Sequence, residues 1–267
     1  MIQNSLLVAS GWYSAADERD DTRRRLLGDS LIRRPEFHTL WLQSVERHFY
    51  PERIVVVDSK SPTQSPLINI SRVEWINLHE NAGHATAAQG ILSGWTQSVV
   101  FSMLAFINSG IDFYLYVEQD ALVGGRNLRE KVVRACGQSM AFGSGKGTPQ
   151  VLQQSLFIVH RSQAQRFLTR LLSVPQLDSV LSPETKFALA GSRLPLPLLR
   201  FFSHDVTRFS QKVVAQTISR RPLRRFGWIP LSGGRIRPIA WDEDFYFQHG
   251  SSEEVSMYKE YLRNAFG

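Results

Sequence analysis

The apolar residues of this chain fall into two patterns that alternate along the sequence. Short runs rich in β-branched and aromatic residues predict strands at residues 5–9, 53–58, 73–78, 113–117 and 153–159. Apolar positions spaced three or four apart predict helices at residues 37–49, 85–107, 127–137 and 164–171, the second divided in two near residues 94–98. Strands alternating with helices are typical of a mainly parallel sheet flanked by helices, so we predict one α/β domain.

The most informative stretch is the run FYLYVEQDALVGG at residues 113–125. Its apolar strand stops at Glu118-Gln119-Asp120, and side chains alternate along an extended segment, so Glu118 and Asp120 are predicted to project to the same side. Open α/β sheets bind ligands at the carboxyl ends of their strands. Two carboxylates there could hold a divalent ion; the alternative is a polar turn closed by Gly124 and Gly125.

Composition narrows the class of protein. The chain has 267 residues, 43% of them hydrophobic, and a single cysteine, Cys136, which excludes a disulfide framework and a cysteine-based zinc site. The N-terminus has no secretion-signal pattern, and the longest apolar stretch, residues 85–107, is interrupted by polar residues and glycines. We therefore expect a cytoplasmic protein.

The charge is unevenly distributed. The net charge is +7, and within residues 186–237 the only acidic residue is Asp205. Such a surplus attracts nucleotides, polyanionic glycans, nucleic acid or anionic membranes. The basic segment at residues 194–228 has three alternative interpretations: a patch that meets the inner membrane face peripherally, a lid over an anionic donor, or a solvated basic face.

Taken together, three features resemble the nucleotide-sugar-dependent glycosyltransferases of the GT-A fold. They are a strand at the N-terminus, a second strand that ends in Asp58, and an acidic signature after a later strand. The Asn81-x-Gly83 turn before a helix is similar to the family-two transferases. The resemblance covers roughly the first 160 residues. It departs from the family where the usual Asp-x-Asp reads Glu118-Gln119-Asp120, and where the segment between Gly83 and that signature is longer.

The resemblance implies a domain in which residues 1–160 form a GT-A-like nucleotide-sugar-binding core. Residues 161–267 would form an acceptor-side and basic region packed on the same domain. The implied activity is transfer of a sugar from a nucleotide donor, expected to be a UDP-sugar, to a glycan, a lipid-linked acceptor or a protein. The implied cofactor is Mn²⁺ or Mg²⁺, held by Asp120, Glu118 and His249, with His204 competing for the last position.

The resemblance also assigns roles at the donor and acceptor. The residues expected to bind the donor are Ser10, Asp58, Asn81, Gly83, Glu118, Arg235 and Arg237. If the transfer inverts configuration, Glu184 is the candidate general base, beside Asp120 as the second catalytic residue, and Asp242, Glu243 and Asp244 are reserves. A retaining transfer needs no base. Asp58 could instead form a turn, Glu184 could complement a helix dipole, and His249 could be structural.

Two other classes of protein compete with a transferase. A nucleotidyltransferase shares the α/β plan and the acidic metal ligands, but it usually carries a Gly-rich basic signature after the first strand, and Ser10-Gly11-Trp12-Tyr13 lacks one. A non-catalytic protein that binds nucleic acid or membranes would explain the charge and leave Glu118 and Asp120 without a role. A degenerate transferase without turnover is a further alternative. We expect no nucleic-acid partner.

Overall fold

The computed structural model describes residues 4–15, 26–88, 90–146, 148, 150–204 and 208–266, with the side chains of 201–209 left out. The helices are Pro35–Phe49 (α1), Gly94–Ile107 (α2), Leu128–Cys136 (α3), Arg161–Leu172 (α4), Pro183–Ala190 (α5), Leu196–His204 (α6), Arg208–Ile218 (α7) and Ser252–Phe266 (α8). The strands are Leu6–Trp12 (β1), Arg53–Asp58 (β2), Val73–Asn77 (β3), Phe113–Val117 (β4), Ala121–Gly124 (β5), Met140–Ser144 (β6), Leu152–His160 (β7), Gly227–Trp228 (β8), Ser232–Gly234 (β9) and Phe245–Gln248 (β10).

The main sheet has seven strands in the order β3-β2-β1-β4-β7-β6-β8. Strands β3, β2, β1 and β4 are parallel, and β7 runs antiparallel to both of its neighbours, β4 and β6. The prediction of an α/β domain with a mainly parallel central sheet flanked by helices is therefore confirmed. This architecture is compatible with a Rossmann-like domain.

Apolar layers cover both faces of this sheet because its strands alternate their side chains between the two. In β2, Ile54 and Val56 pack into one layer and Val55 into the other. The first layer includes Leu262 of α8, and the second includes Phe187 of α5. The two regions predicted from the sequence, residues 1–160 and residues 161–267, thus both contribute side chains to each layer.

A smaller sheet, in the order β5-β10-β9, brings the end of the chain back to the acidic turn. Strand β5 leaves that turn, and β10 pairs with it antiparallel, placing Gln248 opposite Ala121. The residue after β10 is His249, and the residue before β5 is Asp120. Backbone pairing therefore places two residues far apart in sequence at the same end of a ribbon.

Two predicted element boundaries are wrong. The first strand continues to Trp12, so Ser10 lies inside it. In the predicted helical stretch 85–107, residues 85–87 form only a short 3-10 turn, and the helix begins at Gly94 after the N-cap Ser93. Residues 94–98 open this helix rather than break it, because the Ser93 hydroxyl accepts from the Thr96 N–H and starts the helix there. Among the described helices, none is long and apolar enough to cross a membrane.

Candidate active site

Two adjoining cavities meet at the acidic turn after β4. The first, which we call the strand-end chamber, has a volume of about 110 Å³, and the second, the polar chamber, has a volume of about 510 Å³. Glu118, Asp120 and His84 line both of them. The acidic turn is therefore the shared wall between two compartments, which is where a group passing from one bound molecule to another would cross.

The strand-end chamber lies at the switch point of the sheet. The chain builds β2 and β3 to one side of β1 and then crosses to add β4 on the other side, which leaves a crevice at the carboxyl ends of β1 and β4. The lining residues come from the ends of β1, β2 and β4, from the 3-10 turn before α1 and from the segment that leads into α2; they include Gly11, Trp12, Tyr13, Arg33, Val57, Ser59, Asn81, Gly83, Gly94, Trp95 and Tyr116.

The acidic turn is fixed by hydrogen bonds to its neighbours. The Ala121 N–H donates to the Glu118 carbonyl at 2.9 Å, which closes a tight turn. The side-chain amide of Gln119 accepts from the Tyr13 N–H at 2.7 Å and donates to the Tyr13 carbonyl at 2.9 Å. This two-point contact ties the end of β4 to the end of β1 and leaves the two flanking carboxylates on the cavity walls.

A neutral phenol forms part of the floor of the strand-end chamber. Tyr116 OH accepts from the Gly11 N–H at 3.0 Å and lies 2.9 Å from Ser98 Oγ. Burial raises the pKa of the Tyr116 phenol well above its ordinary value, so it stays protonated near neutral pH. A Cβ added at Gly11 would lie 2.7 Å from Ser98 Oγ, so only glycine leaves this floor open.

Asn81 and Gly83 form a tight turn in the same chamber. The Gly83 N–H donates to Asn81 Oδ1 at 2.9 Å, and Gly83 has a φ of 77°, a left-handed conformation that favours glycine. The Gly83 carbonyl accepts from the Gly94 N–H at 2.9 Å. The motif that the sequence singled out therefore shapes the chamber wall beside the start of α2.

Asp120 and His249 are paired where the chambers meet. The His249 Nδ1 atom lies 2.8 Å from Asp120 Oδ2, and Asp120 is 7% exposed. His249 has a φ of 57°, which is uncommon for a residue other than glycine. Gly28 packs directly on its backbone, since a Cβ there would lie 2.6 Å from the His249 carbonyl carbon. The position of the imidazole is thus held by the fold.

Gln248 connects the Asp120–His249 pair to the guanidinium of Arg235. In the amide orientation that satisfies its neighbours, its oxygen accepts from Arg235 Nε at 2.7 Å and from His249 Nε2 at 3.1 Å, and its nitrogen donates to Ser155 Oγ. Arg235, Gln248 and His249 all line the polar chamber. Positive charge therefore lies next to the acidic turn.

Glu184 lies in the first turn of α5 and faces the polar chamber. Ser182 caps the helix by accepting from the Thr185 N–H, and Pro183 occupies the first turn. Burial raises the pKa of the Glu184 carboxyl above its ordinary value, and the positive charge of Arg235 partly opposes this shift. A raised carboxyl pKa brings the group closer to the range in which a general base works well.

The residues present fit a divalent ion only in part. The 2.8 Å between Asp120 Oδ2 and His249 Nδ1 is close to the separation of adjacent ligands around Mg²⁺, about 3.0 Å for ligand distances of about 2.1 Å. Among the described residues, no group of three or more His, Cys, Asp or Glu is arranged to hold a metal. Mg²⁺ commonly takes one or two carboxylates and completes its shell with phosphates and water. Of the two residues, Asp120 supplies the carboxylate of this pattern, and His249 supplies an imidazole nitrogen in place of an oxygen.

The structure brings most of the predicted site residues together. Glu118, Asp120, Glu184, Arg235 and His249 line the polar chamber. Asn81 and Gly83 line the strand-end chamber, which the two acidic residues also line.

Other predicted residues lie elsewhere. Ser10 is fully buried inside β1 and donates to the Gly11 carbonyl at 3.2 Å. Asp58 accepts from the Ser61 N–H and hydroxyl at 3.1 and 2.6 Å, which is the turn-forming alternative. The Arg237 guanidinium is engaged by Glu254 and by the Gln248 carbonyl. The side chain of His204 lies outside the described part of the chain.

The reserve candidates for the base lie at the far end of the β5–β10 ribbon. Asp242, Glu243 and Asp244 line a third cavity, and Asp244 pairs with Lys131. Three residue steps separate the two ends of the ribbon, or about 10 Å. Glu184 is therefore the better-placed carboxylate.

Three features of the site escaped the sequence analysis. Arg33, to which no role was assigned, lines the strand-end chamber. Gln119, also without a predicted role, fixes the acidic turn through the Tyr13 backbone. Asp178, which lines the polar chamber, forms a fully buried ion pair with Lys186. The one available signal was a lysine within the apolar pattern of a helix, Lys186-Phe187-Ala188-Leu189.

The basic segment at residues 194–228 forms α6, α7 and β8. It supplies Gln211 to the polar chamber, and it carries exposed apolar side chains, among them Leu198 at 45% and Val213 at 51% exposure.

Comparison with known proteins adds no assignment. The sequence matches no protein-family model, and no curated protein matches it significantly. The fold and the geometry of the cleft therefore carry the functional argument.

Proposed function

We propose that this protein is a metal-dependent glycosyltransferase of the GT-A type, which transfers a sugar from a nucleotide-sugar donor to an acceptor hydroxyl. The observation that carries the proposal is that Glu118 and Asp120 line both chambers at the switch point of the sheet. A transferase needs two substrate compartments that meet at a charged junction, because donor and acceptor must be held together while charge develops on the leaving group.

The strand-end chamber, with a volume of about 110 Å³, would take the base end of the nucleotide. It is lined by Trp95 and Tyr13, which offer flat surfaces to a base, and by the positively charged Arg33. Its Gly11 and Gly94 positions let the ligand approach the backbone closely. The diphosphate would then lie toward the acidic turn, where Asp120 and His249 would hold the divalent ion and Glu118 would supply a second carboxylate.

The reaction would break the bond between the anomeric carbon and the diphosphate oxygen and form one to the acceptor oxygen. When bound, Mn²⁺ or Mg²⁺ would stabilise the negative charge on the diphosphate as a Lewis acid. Glu184 would accept the proton of the acceptor hydroxyl from the polar chamber, which corresponds to inversion of configuration. Arg235 would lower the energy of the ionised Glu184 before transfer and favour its deprotonated form.

The first test is calorimetric titration of UDP, GDP and CMP into the protein, with and without Mn²⁺. We expect one nucleotide, most simply UDP, to bind only with the ion, and Asp120→Asn to weaken this binding at least tenfold. Asp242→Asn is the matched control, because it makes the same change on an exposed residue of the third cavity. Nucleotide binding that is absent, or indifferent to both Mn²⁺ and Asp120, would contradict the proposal.

The second test separates chemistry from binding. Glu184→Gln should leave nucleotide affinity intact and lower the rate of donor turnover by roughly 100-fold or more, the usual contribution of a general base. Glu243→Gln, an exposed acid on the third cavity, should change neither quantity. Full turnover in Glu184→Gln would remove this residue as the base while leaving the donor site in place.

A further inference from the structure

The polar chamber is lined by an unusual set of neutral hydrogen-bonding side chains. Five glutamines line it, together with several hydroxyl-bearing residues: Gln150, Gln153, Gln154, Gln211, Gln248, Thr86, Thr148, Ser155, Ser179 and Ser182. Each amide carries both donors and an acceptor, and each hydroxyl can do either. A ligand that matches this wall must itself present many groups that both donate and accept.

Two of these amides have unused hydrogen-bonding capacity. Gln153 is 5% exposed, and its Oε1 atom accepts from Tyr246 OH at 2.9 Å, but its buried Nε2 atom has no hydrogen-bond partner among the described residues. The buried Oε1 atom of the neighbouring Gln154 likewise has no partner within the described part of the chain. Buried amide groups without partners are costly, so an unused donor and an unused acceptor on two residues that line one cavity indicate a ligand that satisfies both.

The fold makes specific room for the Gln153 amide. Gly234 has a φ of 70°, and a Cβ at this position would lie 2.8 Å from Gln153 Nε2 and 2.8 Å from Tyr246 OH. Burial raises the pKa of the Tyr246 phenol, so that it remains a hydrogen-bond donor to Gln153. The amide therefore has a fixed orientation, with its carbonyl oxygen committed to Tyr246.

Charge restricts the ligand further. The carboxylates of Glu118, Asp120 and Glu184 line the chamber against Arg235 and the two histidines His84 and His249, and a fourth carboxylate, on Asp178, is paired with the buried Lys186. A ligand with its own carboxylate or phosphate would be repelled by this wall. The volume of about 510 Å³ lies within the roughly 300 to 1,000 Å³ of a typical small-molecule pocket, which suits a ligand of that size.

We infer that the polar chamber binds an uncharged saccharide, whose hydroxyls pair with Gln153 and Gln154. This inference rests on the proposed function, in which the saccharide is the acceptor, and narrows the acceptor from a glycan, lipid-linked group or protein to a neutral sugar terminus. One hydroxyl of the sugar would accept from Gln153 Nε2 and another would donate to Gln154 Oε1. A third would face Glu184 and the acidic turn.

The test is saturation-transfer difference NMR on the full-length protein without nucleotide. The probes are the methyl glycosides of glucose, galactose and mannose, and N-acetylglucosamine, with glucuronic acid and a phosphorylated hexose as charged comparators. We expect at least one neutral sugar to bind and both charged ones to bind at least tenfold more weakly. Gln153→Ala and Gln154→Ala should each weaken the neutral sugar by about fivefold or more, the loss of one net hydrogen bond.

Gln138→Ala is the control, because Gln138 is an exposed glutamine in the turn after α3. Circular dichroism checks that each variant folds, and if Gln153→Ala does not, Gln154→Ala decides. Sugar binding that is absent, unaffected in the folded variants or equally strong for the charged probes would overturn the inference. Nucleotide binding is measured separately. If the protein binds a nucleotide but no sugar, the inference about the polar chamber fails and the donor site stands. If it binds a sugar but no nucleotide, the proposed donor site fails.

Discussion

The buried ion pair between Asp178 and Lys186 should be the most sensitive point of the molecule outside the acidic turn. The Lys186 Nζ atom lies 2.6 Å from Asp178 Oδ1, and both side chains are fully buried. Asp178 Oδ2 also accepts from the Ser93 N–H at 2.7 Å and from the Ser93 and Thr96 hydroxyls. These contacts join the start of α2, beside the strand-end chamber, to α5, which carries Glu184.

Removing one charge should leave the other buried without its partner. We expect Lys186→Met and Asp178→Asn each to lower the free energy of unfolding by about 3 to 5 kcal/mol. This is a large fraction of the roughly 5 to 15 kcal/mol by which a domain is usually stable. The double variant should lose less than the sum of the two single losses by at least ~2 kcal/mol, because it leaves no lone buried charge.

Urea unfolding followed by circular dichroism gives the four free energies of this cycle. The control is the partly exposed pair Arg53–Glu74, whose side chains are 32% and 48% exposed and whose Nε and Oε1 atoms lie 2.7 Å apart. Glu74→Gln should cost less than about 1 kcal/mol, since solvent screens this pair. Single losses below about 1 kcal/mol at the buried pair, or losses that simply add, would refute the reasoning.

Two further predictions concern buried ionisable groups. Burial lowers the pKa of His38 from its ordinary value to about 3, so between that value and about 6.5 the unfolded chain takes up a proton that the native state does not. Stability should therefore fall with decreasing pH, by up to ~1.4 kcal/mol per unit, and this slope in urea unfolding should shrink in His38→Asn but not in His79→Gln, at an exposed histidine. Burial also raises the pKa of the Cys136 thiol to about 12, so iodoacetamide at pH 8 should modify it only in urea; rapid labelling of the native protein by mass spectrometry would contradict this.

Much of the architecture follows from local patterns. The β-branched run of β2 and the aromatic run of β4 are buried on both faces in the structure, and both were predicted as strands. The start of α5, with Ser182 as its cap and Pro183 in its first turn, is likewise a local pattern. These signals are readable because strand and helix periodicity, and capping by hydroxyls and proline, depend on a few neighbouring residues. Strand β10 gave no such signal, because its four residues are too few for a period to show.

The residues of the candidate site also differ in whether a local sequence pattern predicts them. The sequence alone identified Glu118 and Asp120, because an apolar strand that ends in acids is a local pattern. The sequence could not show that the side chains of Ser10 and Asp58 lie outside the cleft. A shift of one residue along a strand turns a side chain to the opposite face of the sheet. The sequence also could not show that Gln119 fixes the acidic turn, because its partner Tyr13 is distant in sequence.

Only the tertiary structure decided which distant residues meet. The pairing of β10 with β5 places His249 against Asp120, and packing of α5 beside the main sheet turns Glu184 toward the same cavity. That the buried Gln153 Nε2 and Gln154 Oε1 atoms have no partner among the described residues could be seen only once those residues had positions. Such contacts are set by the closure of long loops and by packing across layers, and no short window of sequence encodes them.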